Sequence, residues 1–403
     1  MATPEAETTH SIDEWQITGI ARHLKPSAIR ELLKIATRPG MISFAGGLPA
    51  PELFPVDDLR AAADLVFATQ GRSALQYSIS RGILPFREKI AERENQNGIS
   101  STSENIFVTS GAQQAIELVG RLFVSEGDYI LTEYPTYVGA LQVFNALGAQ
   151  YASVPMDHNG MIVSEAEALI QKFKPKLIYV VSTFQNPTGI TMSLSRRNEL
   201  IDLAAKYHLP IVDDSPYDAL RFSGEPLPSL KQLGGDSVIG LRSFSKILSP
   251  GIRLGWVNAS DEVLQFIERI KQATDLHTSS LNQYIVLEYL RTGKLSAHIR
   301  KVCGDYLDKR NLMIARMREC FPSSVRWTEP EGGLFLWVEL PQESSATALL
   351  EKAIAEQVVF VPGKPFYPDG QCDSTFRLNF SNASYPQITD GIARLGKALS
   401  SIV

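Results

Sequence analysis

Lys246 stands in the run Ser243-Phe-Ser-Lys-Ile-Leu-Ser-Pro-Gly-Ile-Arg253, a context suited to two kinds of chemistry. A lysine amine can form a Schiff base with an aldehyde cofactor. Ser243, Ser245 and Arg253 could hold an anionic group of that cofactor, the arginine through paired charge-assisted bonds. A solvated basic loop is the alternative this stretch alone leaves open. Ile211-Val-Asp-Asp-Ser-Pro-Tyr217 is an apolar strand running into two carboxylates and a tyrosine. A buried carboxylate needs a cationic partner, so Asp214 could face a protonated ring nitrogen while Tyr217 bonds a ring oxygen. A metal-binding pair formed by Asp213 and Asp214, or a helix N-cap, fits the same letters.

Three more runs carry weaker signals. Val108-Thr-Ser-Gly-Ala-Gln-Gln114 passes from strand through Ser-Gly into a helix, whose first amides are a ready phosphate site. Ser182-Thr-Phe-Gln-Asn-Pro-Thr-Gly189 places Asn186 at a proline turn after a buried strand, and a plain loop would read the same way. Ser374-Thr-Phe-Arg-Leu-Asn-Phe-Ser381 puts Arg377 inside an apolar strand-like run. Such an arginine either faces solvent on an edge strand or is kept to clamp a carboxylate.

The elements that must position these residues alternate. Short apolar runs at Ile106–Thr109, Tyr129–Thr132, Gln150–Val154, Leu177–Val181, Leu209–Val212, Val238–Leu241 and Gly255–Asn258 have the character of strands buried on both faces. Amphipathic helices lie between them, as where Ala112, Ala115, Ile116, Val119, Leu122 and Phe123 share one face. Alternating βαβ units predict an α/β fold with a mostly parallel sheet, and ligands then bind beyond the carboxyl ends of the strands, where the polar runs fall. Past a long helix near residues 296–319 the texture changes to a smaller α+β unit. It has strand-like Leu334–Leu340, helix Thr347–Gln357, strand-like Val358–Val361 and Thr375–Phe380, and a last helix from Gln387. A short N-terminal helix repeats apolar residues at Ile29, Leu32, Leu33 and Ala36. That spacing leaves Arg30 pointing away from the apolar face and predicts a helix laid on the small unit or over the site. The expected organisation is a flexible tail at 1–17, a helix and active-site segment at 18–54, a large domain at 55–295 and a small one at 296–403.

Composition narrows the classes. With 39 Lys plus Arg against 44 Asp plus Glu, the net charge of −5 argues against a nucleic-acid partner. Hydrophobic residues at 44% and charged residues at 21% are those of a folded globular chain, and no apolar run approaches the ~18 residues of a membrane span. Met1 to Gln16 shows no secretory pattern. Three scattered cysteines and six histidines without ligand spacing fit a reducing cytoplasm and predict no metal site.

Taken in order, these runs resemble the fold-type-I pyridoxal-phosphate aminotransferases of class I/II, and most of all the 2-aminoadipate and kynurenine aminotransferases. The resemblance extends from about residue 18 to the C-terminus. It is carried by Ser27-Ala-Ile-Arg-Glu-Leu-Leu-Lys34, Phe44-Ala-Gly-Gly-Leu-Pro-Ala-Pro-Glu-Leu-Phe-Pro55, Gln185-Asn-Pro-Thr-Gly189, Ser243-Phe-Ser-Lys246 and Asp275-Leu-His-Thr278. It implies fold type I: a large domain with a mainly parallel seven-stranded sheet plus the smaller α+β domain. It also implies pyridoxal 5'-phosphate held covalently on Lys246, which then shuttles protons in ping-pong transamination between an L-amino acid and a 2-oxo acid such as 2-oxoglutarate. Asp214 would partner the ring nitrogen, Tyr217 and Asn186 the ring hydroxyl, and Tyr137 would stack on the ring. Ser110, Gly111, Ala112, Gln113, Ser243, Ser245 and Arg253 would form the phosphate cup. Tyr77 would reach the phosphate of a neighbouring subunit, implying a homodimer with shared sites. Arg377 would clamp the substrate carboxylate, helped by backbone at Gly46 and Gly47, and Arg30 would meet a distal carboxylate. The segment Ser78-Ile-Ser-Arg-Gly82 departs from the Gly-Pro or Pro-Thr that often follows the tyrosine in close relatives. Other reactions of the same cofactor (β-elimination, decarboxylation, racemisation) share these residues. A regulator's effector domain is the non-enzymatic alternative; the acidic charge and the short segment ahead of the fold speak against it.

Overall fold

The computed structural model describes Ile17, Thr18, Ala21, Leu24, Pro26 and residues 28–402. The expected tail at 1–17, Ile17 excepted, and the side chain of Ile29 lie outside the described residues. The elements described begin with helix α1 (Ala28–Ala36), a two-residue strand β1 (Ile42–Ser43), and helices α2 (Val56–Ala74) and α3 (Leu84–Gln96). Strands β2 (Ile106–Thr109), β3 (Tyr129–Tyr134), β4 (Gln150–Asp157), β5 (Gly160–Met161), β6 (Ile178–Val180), β7 (Ile211–Asp214), β8 (Val238–Ser243) and β9 (Gly255–Asn258) follow, with helices between most of them. They form one sheet in the order β2-β9-β8-β7-β6-β3-β4-β5. The run β8-β7-β6-β3-β4 is parallel throughout.

All seven strands expected from the apolar runs are present in a mainly parallel sheet, and the expected count of seven needs one correction. An eighth strand, β5, folds back antiparallel on β4 through Met156↔Met161; two residues are too few to show a period. β9 runs antiparallel to both β2 and β8. Its link from β8, residues 244–254, is closed by Phe244 N–H donating to Leu254 O at 3.0 Å and is too short for the crossover that a parallel neighbour requires.

Every strand from β2 to β9 other than β4 and the first and last residues of β3 is buried along its length, because helices cover both faces. One of them, α4 (Ala112–Phe123), buries Ala115, Ile116, Leu118 and Val119. It starts from Gly111 at φ 88°, a left-handed conformation that favours glycine. Another, α5 (Val138–Ala146), starts after Tyr137.

The last part of the chain builds a second sheet. Strands β10 (Arg326–Trp327), β11 (Phe335–Glu339), β12 (Val358–Val359), β13 (Val361–Pro362) and β14 (Thr375–Asn379) follow the long helix Leu295–Cys320. The order β10-β11-β14-β13 is antiparallel. The single strand expected at Val358–Val361 is two: β12 pairs parallel with β1, and β13 joins β14 after the break at Phe360. The last helix spans Tyr385–Leu399, two residues earlier than expected, because Ser384 and Gln387 form a reciprocal capping box.

The segment after β1 joins β12 to β14. Phe44 N–H donates to Val359 O, and Asn379 N–H donates to Phe44 O, at 2.8 and 2.9 Å. The strap from Phe44 to Gly47 is thereby fixed beside β14. On α1, Leu32 packs with Val359, Val361, Trp337 and Phe366.

Candidate active site

The carboxyl ends of β2, β3, β6, β7 and β8 converge on a cavity of about 610 Å³. Its lining includes Arg30, Ala112, Gln113, Tyr137, Asn186, Asp214, Tyr217, Ser243, Ser245, Lys246 and Arg253, as expected of ligand positions in an open α/β sheet.

Lys246 follows β8 on a turn stabilised by Ser245 N–H donating to Ser243 Oγ at 3.0 Å. Its ammonium donates to Gly47 O at 2.8 Å. Enclosure, and then the like charges of Arg377 and Arg253, depress its pKa to about 8, with Asp214 opposing. The amine is therefore partly neutral near pH 7, which a nucleophile or proton carrier needs.

On β7 the two carboxylates diverge, because neighbours in a strand face opposite sides of the sheet. Asp213 accepts from Ser182 Oγ and Ser215 Oγ at 2.7 and 2.8 Å and faces the buried Arg242. Asp214 faces the cavity. Its Oδ2 accepts from the Tyr179 hydroxyl at 2.7 Å, while Oδ1 is buried without a partner. Burial pushes the Asp214 carboxyl up to about 7, against the Tyr179 bond and the charges of Arg242 and Lys246. Side chains aimed apart do not form a chelating pair, and Asp214 ends a strand rather than capping a helix.

Arg377 lies in the interior of β14, paired with Trp337 on one side and Val361 on the other, and is 1% exposed. That removes the solvent-edge alternative. One guanidinium nitrogen donates to Asn186 Oδ1 at 2.7 Å and another to Ala45 O at 2.8 Å, with the group 4.1 Å from the centre of the Phe335 ring. Nε has no partner. Among the described residues no carboxylate forms an ion pair with it, so a fully buried cation is left for an anion to neutralise. Burial lowers its pKa to about 10, and it stays charged at neutral pH. Asn186 Nδ2 in turn donates to the Tyr217 hydroxyl at 3.4 Å, whose own ionisation burial suppresses.

At the other end of the cavity Arg253 donates to Ser110 O at 3.1 Å. Gly111, the N-cap, has no side chain with which to cover the amides of Ala112 and Gln113. A Cβ on Gly111 would come within 2.9 Å of Arg253, and one on Gly255 within 2.9 Å of Gly111 C. The backbone is thus packed down to make a small cradle. Gln113 donates to Gly139 O at 2.9 Å. Tyr137, ahead of α5, walls the cavity, its phenol pushed up to about 12 by burial.

Gly47 meets Lys246 through its carbonyl, whereas Gly46 lies against Leu33 and Leu48. Arg30 is exposed and lines the cavity together with Leu33 and Leu48. Leu32 of the same helix is buried in the core while Arg30 is exposed, so Arg30 lies off the packed face of α1. Tyr77 does not reach this cavity. It is 79% exposed, edge-on to His277 at 5.9 Å, whose Nε2 accepts from Ser78 N–H at 3.2 Å.

Supporting residues escaped the sequence reading. Gln114 Oε1 accepts from Ser110 N–H at 2.8 Å and from the buried Lys271 at 2.6 Å, and Lys271 also pairs with Asp275. Asp275 belongs to one of the resembling motifs, which was the available signal. Tyr179 looked like one more apolar strand residue. Glu133, fully buried on β3, accepts from Val181 N–H and Gln185 Nε2 at 3.1 and 3.2 Å, behind the turn that carries Asn186.

The family model for aminotransferase class I and II matches residues 41–395. Aromatic-amino-acid aminotransferase 1 of Thermococcus litoralis is 41% identical over 93% of this chain and 92% of its own length. The 2-aminoadipate transaminase of Thermus thermophilus is 40% identical over 95% of this chain and 96% of its own. The crystal structure of an alpha-aminoadipate aminotransferase from Thermus thermophilus, complexed with N-(5'-phosphopyridoxyl)-L-leucine, superposes with a TM-score of 0.89 at 39% identity, covering 96% of this chain and 97% of the other.

Proposed function

This chain belongs to the class I and II aminotransferases, pyridoxal-phosphate enzymes of fold type I, and we propose how its residues divide the work of transamination. The residues present fit the cofactor: an orphaned carboxylate oxygen of Asp214 suits a ring N–H, and the cradle at Gly111 suits a phosphate. When bound, pyridoxal phosphate supplies an aldehyde that takes up amines and a ring that withdraws electrons.

In this reading Lys246 Nζ holds the cofactor and later carries the proton, its lowered pKa letting it accept and release near neutrality. Asp214 Oδ1 keeps the ring nitrogen protonated. Asn186 and Tyr217 bond the ring hydroxyl, and Tyr137 covers one face of the ring. Ser110, Gly111, Ala112, Gln113, Ser243, Ser245 and Arg253 hold the phosphate. Arg377 binds the substrate α-carboxylate, with the backbone of Gly46 and Gly47 shaping that side. Arg30, beside Leu33 and Leu48 at the cavity wall, offers a cation to an acidic side chain and leaves apolar surface for aliphatic or aromatic ones. Donors are therefore 2-aminoadipate, glutamate-like, aromatic or aliphatic L-amino acids, with 2-oxoglutarate as an acceptor.

We place the protein in the cytoplasm as a homodimer. Among the described residues no helix is long and apolar enough to cross a membrane. Val56, Phe67, Leu75, Tyr77, Ile79 and Leu276 are more than half exposed, an apolar surface suited to a second copy, which would bring Tyr77 to the partner's phosphate. We divide the chain after residue 17 into a helix and active-site segment at 18–54, a cofactor domain at 55–295 and a small domain at 296–403.

The observation that carries the assignment is the convergence of Lys246 and Asp214 on one cavity, with the buried Arg377 cation held against Asn186 of its wall. Borohydride reduction of the yellow holoenzyme should fix the phosphopyridoxyl group on the Lys246 peptide. Recovery of that group on another lysine would overturn the assignment.

A further inference from the structure

Tyr179 and Asp214 come from neighbouring parallel strands. The register sets Tyr179 opposite Val212, and the two-residue period then puts Asp214 on the same face as Tyr179. The phenol is wholly buried, and its ring stands edge-on to Phe144 at 5.5 Å. Its oxygen lies 2.7 Å from Asp214 Oδ2. Nothing in the proposed division of labour uses this contact.

We propose that Tyr179 is a positioning residue for the reaction: by donating to Oδ2 it fixes the Asp214 carboxylate with Oδ1 toward the cavity and keeps it anionic. The inference rests on the reading of Asp214 as the ring-nitrogen partner. Its force comes from the surroundings. Asp213 on β7 works against the Asp214 charge, and the buried Glu133 on β3 feels the same negative charge. On the favourable side stand Arg242 from β8 and Lys246 from the loop after it. Tyr137 and Tyr217, toward the cavity, are themselves held protonated by burial.

Before a ring cation arrives, burial has raised Asp214 to about 7, and the Tyr179 bond opposes that rise. Removing the bond moves the carboxyl higher, so at neutral pH it becomes mostly the protonated acid and no longer favours a protonated ring. Tyr179 itself is held far above its ordinary range by burial, so it stays a donor throughout.

The experiment compares pyridoxamine 5'-phosphate with its 1-deaza analogue, which has carbon in place of the ring nitrogen. Dissociation constants would be measured by fluorescence titration on cofactor-free wild-type, Tyr179→Phe, Asp214→Asn and doubly substituted protein. Tyr179→Phe keeps the ring and its packing. At pH 7 it should bind pyridoxamine phosphate about 10-fold more weakly, the share of one hydrogen bond to a charged group, and the deaza analogue within about 2-fold. The acid-side fall in pyridoxamine phosphate binding should move up by about one pH unit. In the Asp214→Asn background Tyr179→Phe should add nothing. Equal weakening of both ligands, or no weakening of either, overturns the role of Tyr179. If Asp214→Asn itself shows no selective loss, the ring-nitrogen reading fails and takes the inference with it.

Discussion

The most direct physical test of the site needs no cofactor. A lysine with a pKa of about 8 in place of 10.5 is neutral in roughly one molecule in ten at pH 7, against roughly one in 3,000 for an ordinary one. The free amine of Lys246 should therefore be about 300-fold more available than that of an ordinary lysine. Trace acetylation of the cofactor-free protein with acetic anhydride across pH 6.5–10.5, read by peptide mass spectrometry, reports this directly, since only the neutral amine reacts. The Lys246 peptide should level off above a midpoint near 8. Substitutions then separate the causes by sign. Arg377→Met removes a like charge and moves the midpoint up; Asp214→Asn removes the opposing anion and moves it down. Stability follows the same linkage. A pKa lower in the folded state costs stability at all pH values below about 8, and the cost fades as pH rises toward the unfolded value. Lys246→Met should then raise the melting temperature of the cofactor-free protein at pH 7 more than at pH 10. A Lys246 midpoint at 10 or above, unmoved by either substitution, would refute the electrostatic account.

Other consequences concern binding. Arg377→Lys keeps the charge but loses the fork that grips Asn186, Ala45 and a carboxylate together, so kcat/KM should fall about 10- to 100-fold for every amino donor; a loss confined to acidic donors would contradict the α-carboxylate role. Arg30 is exposed, so its pair with a distal carboxylate is screened, and Arg30→Ala should cost only about 2- to 5-fold in half-reactions with 2-aminoadipate or glutamate, leaving leucine unchanged. Equal losses for both donors would mean that Arg30 supports the helix instead. Mixing Tyr77→Phe with Lys246→Ala protein, after subunit exchange, should recover part of the activity, because one site of each hybrid dimer joins an intact Tyr77 to an intact Lys246. A monomer by light scattering at micromolar concentration would end that reading.

The parallel strands were legible because burial on both faces writes a continuous apolar run, and the polar residues after each run marked the ligand end of the sheet. What stayed hidden has physical reasons. β1, β5 and β10 have two residues each, too few for any period to show. The supporting polar residues were hidden for a different reason. Tyr179 meets Asp214 across 35 positions, Lys271 meets Gln114 across 157, and Gln185 meets Glu133 across 52. Such pairs exist only once the sheet has closed, whereas Lys246 and Asp214 announce themselves through their immediate neighbours.

The same closure explains why the site reads as a template for a charged ligand. Protein interiors balance their buried charges, and here several are satisfied only by neutral groups. Lys246 and Arg377 each donate to a backbone carbonyl of the strap, Gly47 and Ala45, which a carboxylate or an altered amine can displace at the cost of one ordinary hydrogen bond. Asp214 holds one oxygen on a phenol and keeps the other bare. Arg253 at the helix start rests on Ser110 O. In the proposed reading Asp214 is matched to a cation, the Gly111 cradle to an anion and Arg377 to a second anion. A protonated pyridine carrying a phosphate, together with the carboxylate of an amino acid, would supply those charges in that reading. The strap shares its carbonyls with both cations, so binding of the cofactor and binding of the substrate are felt by the same short stretch of backbone.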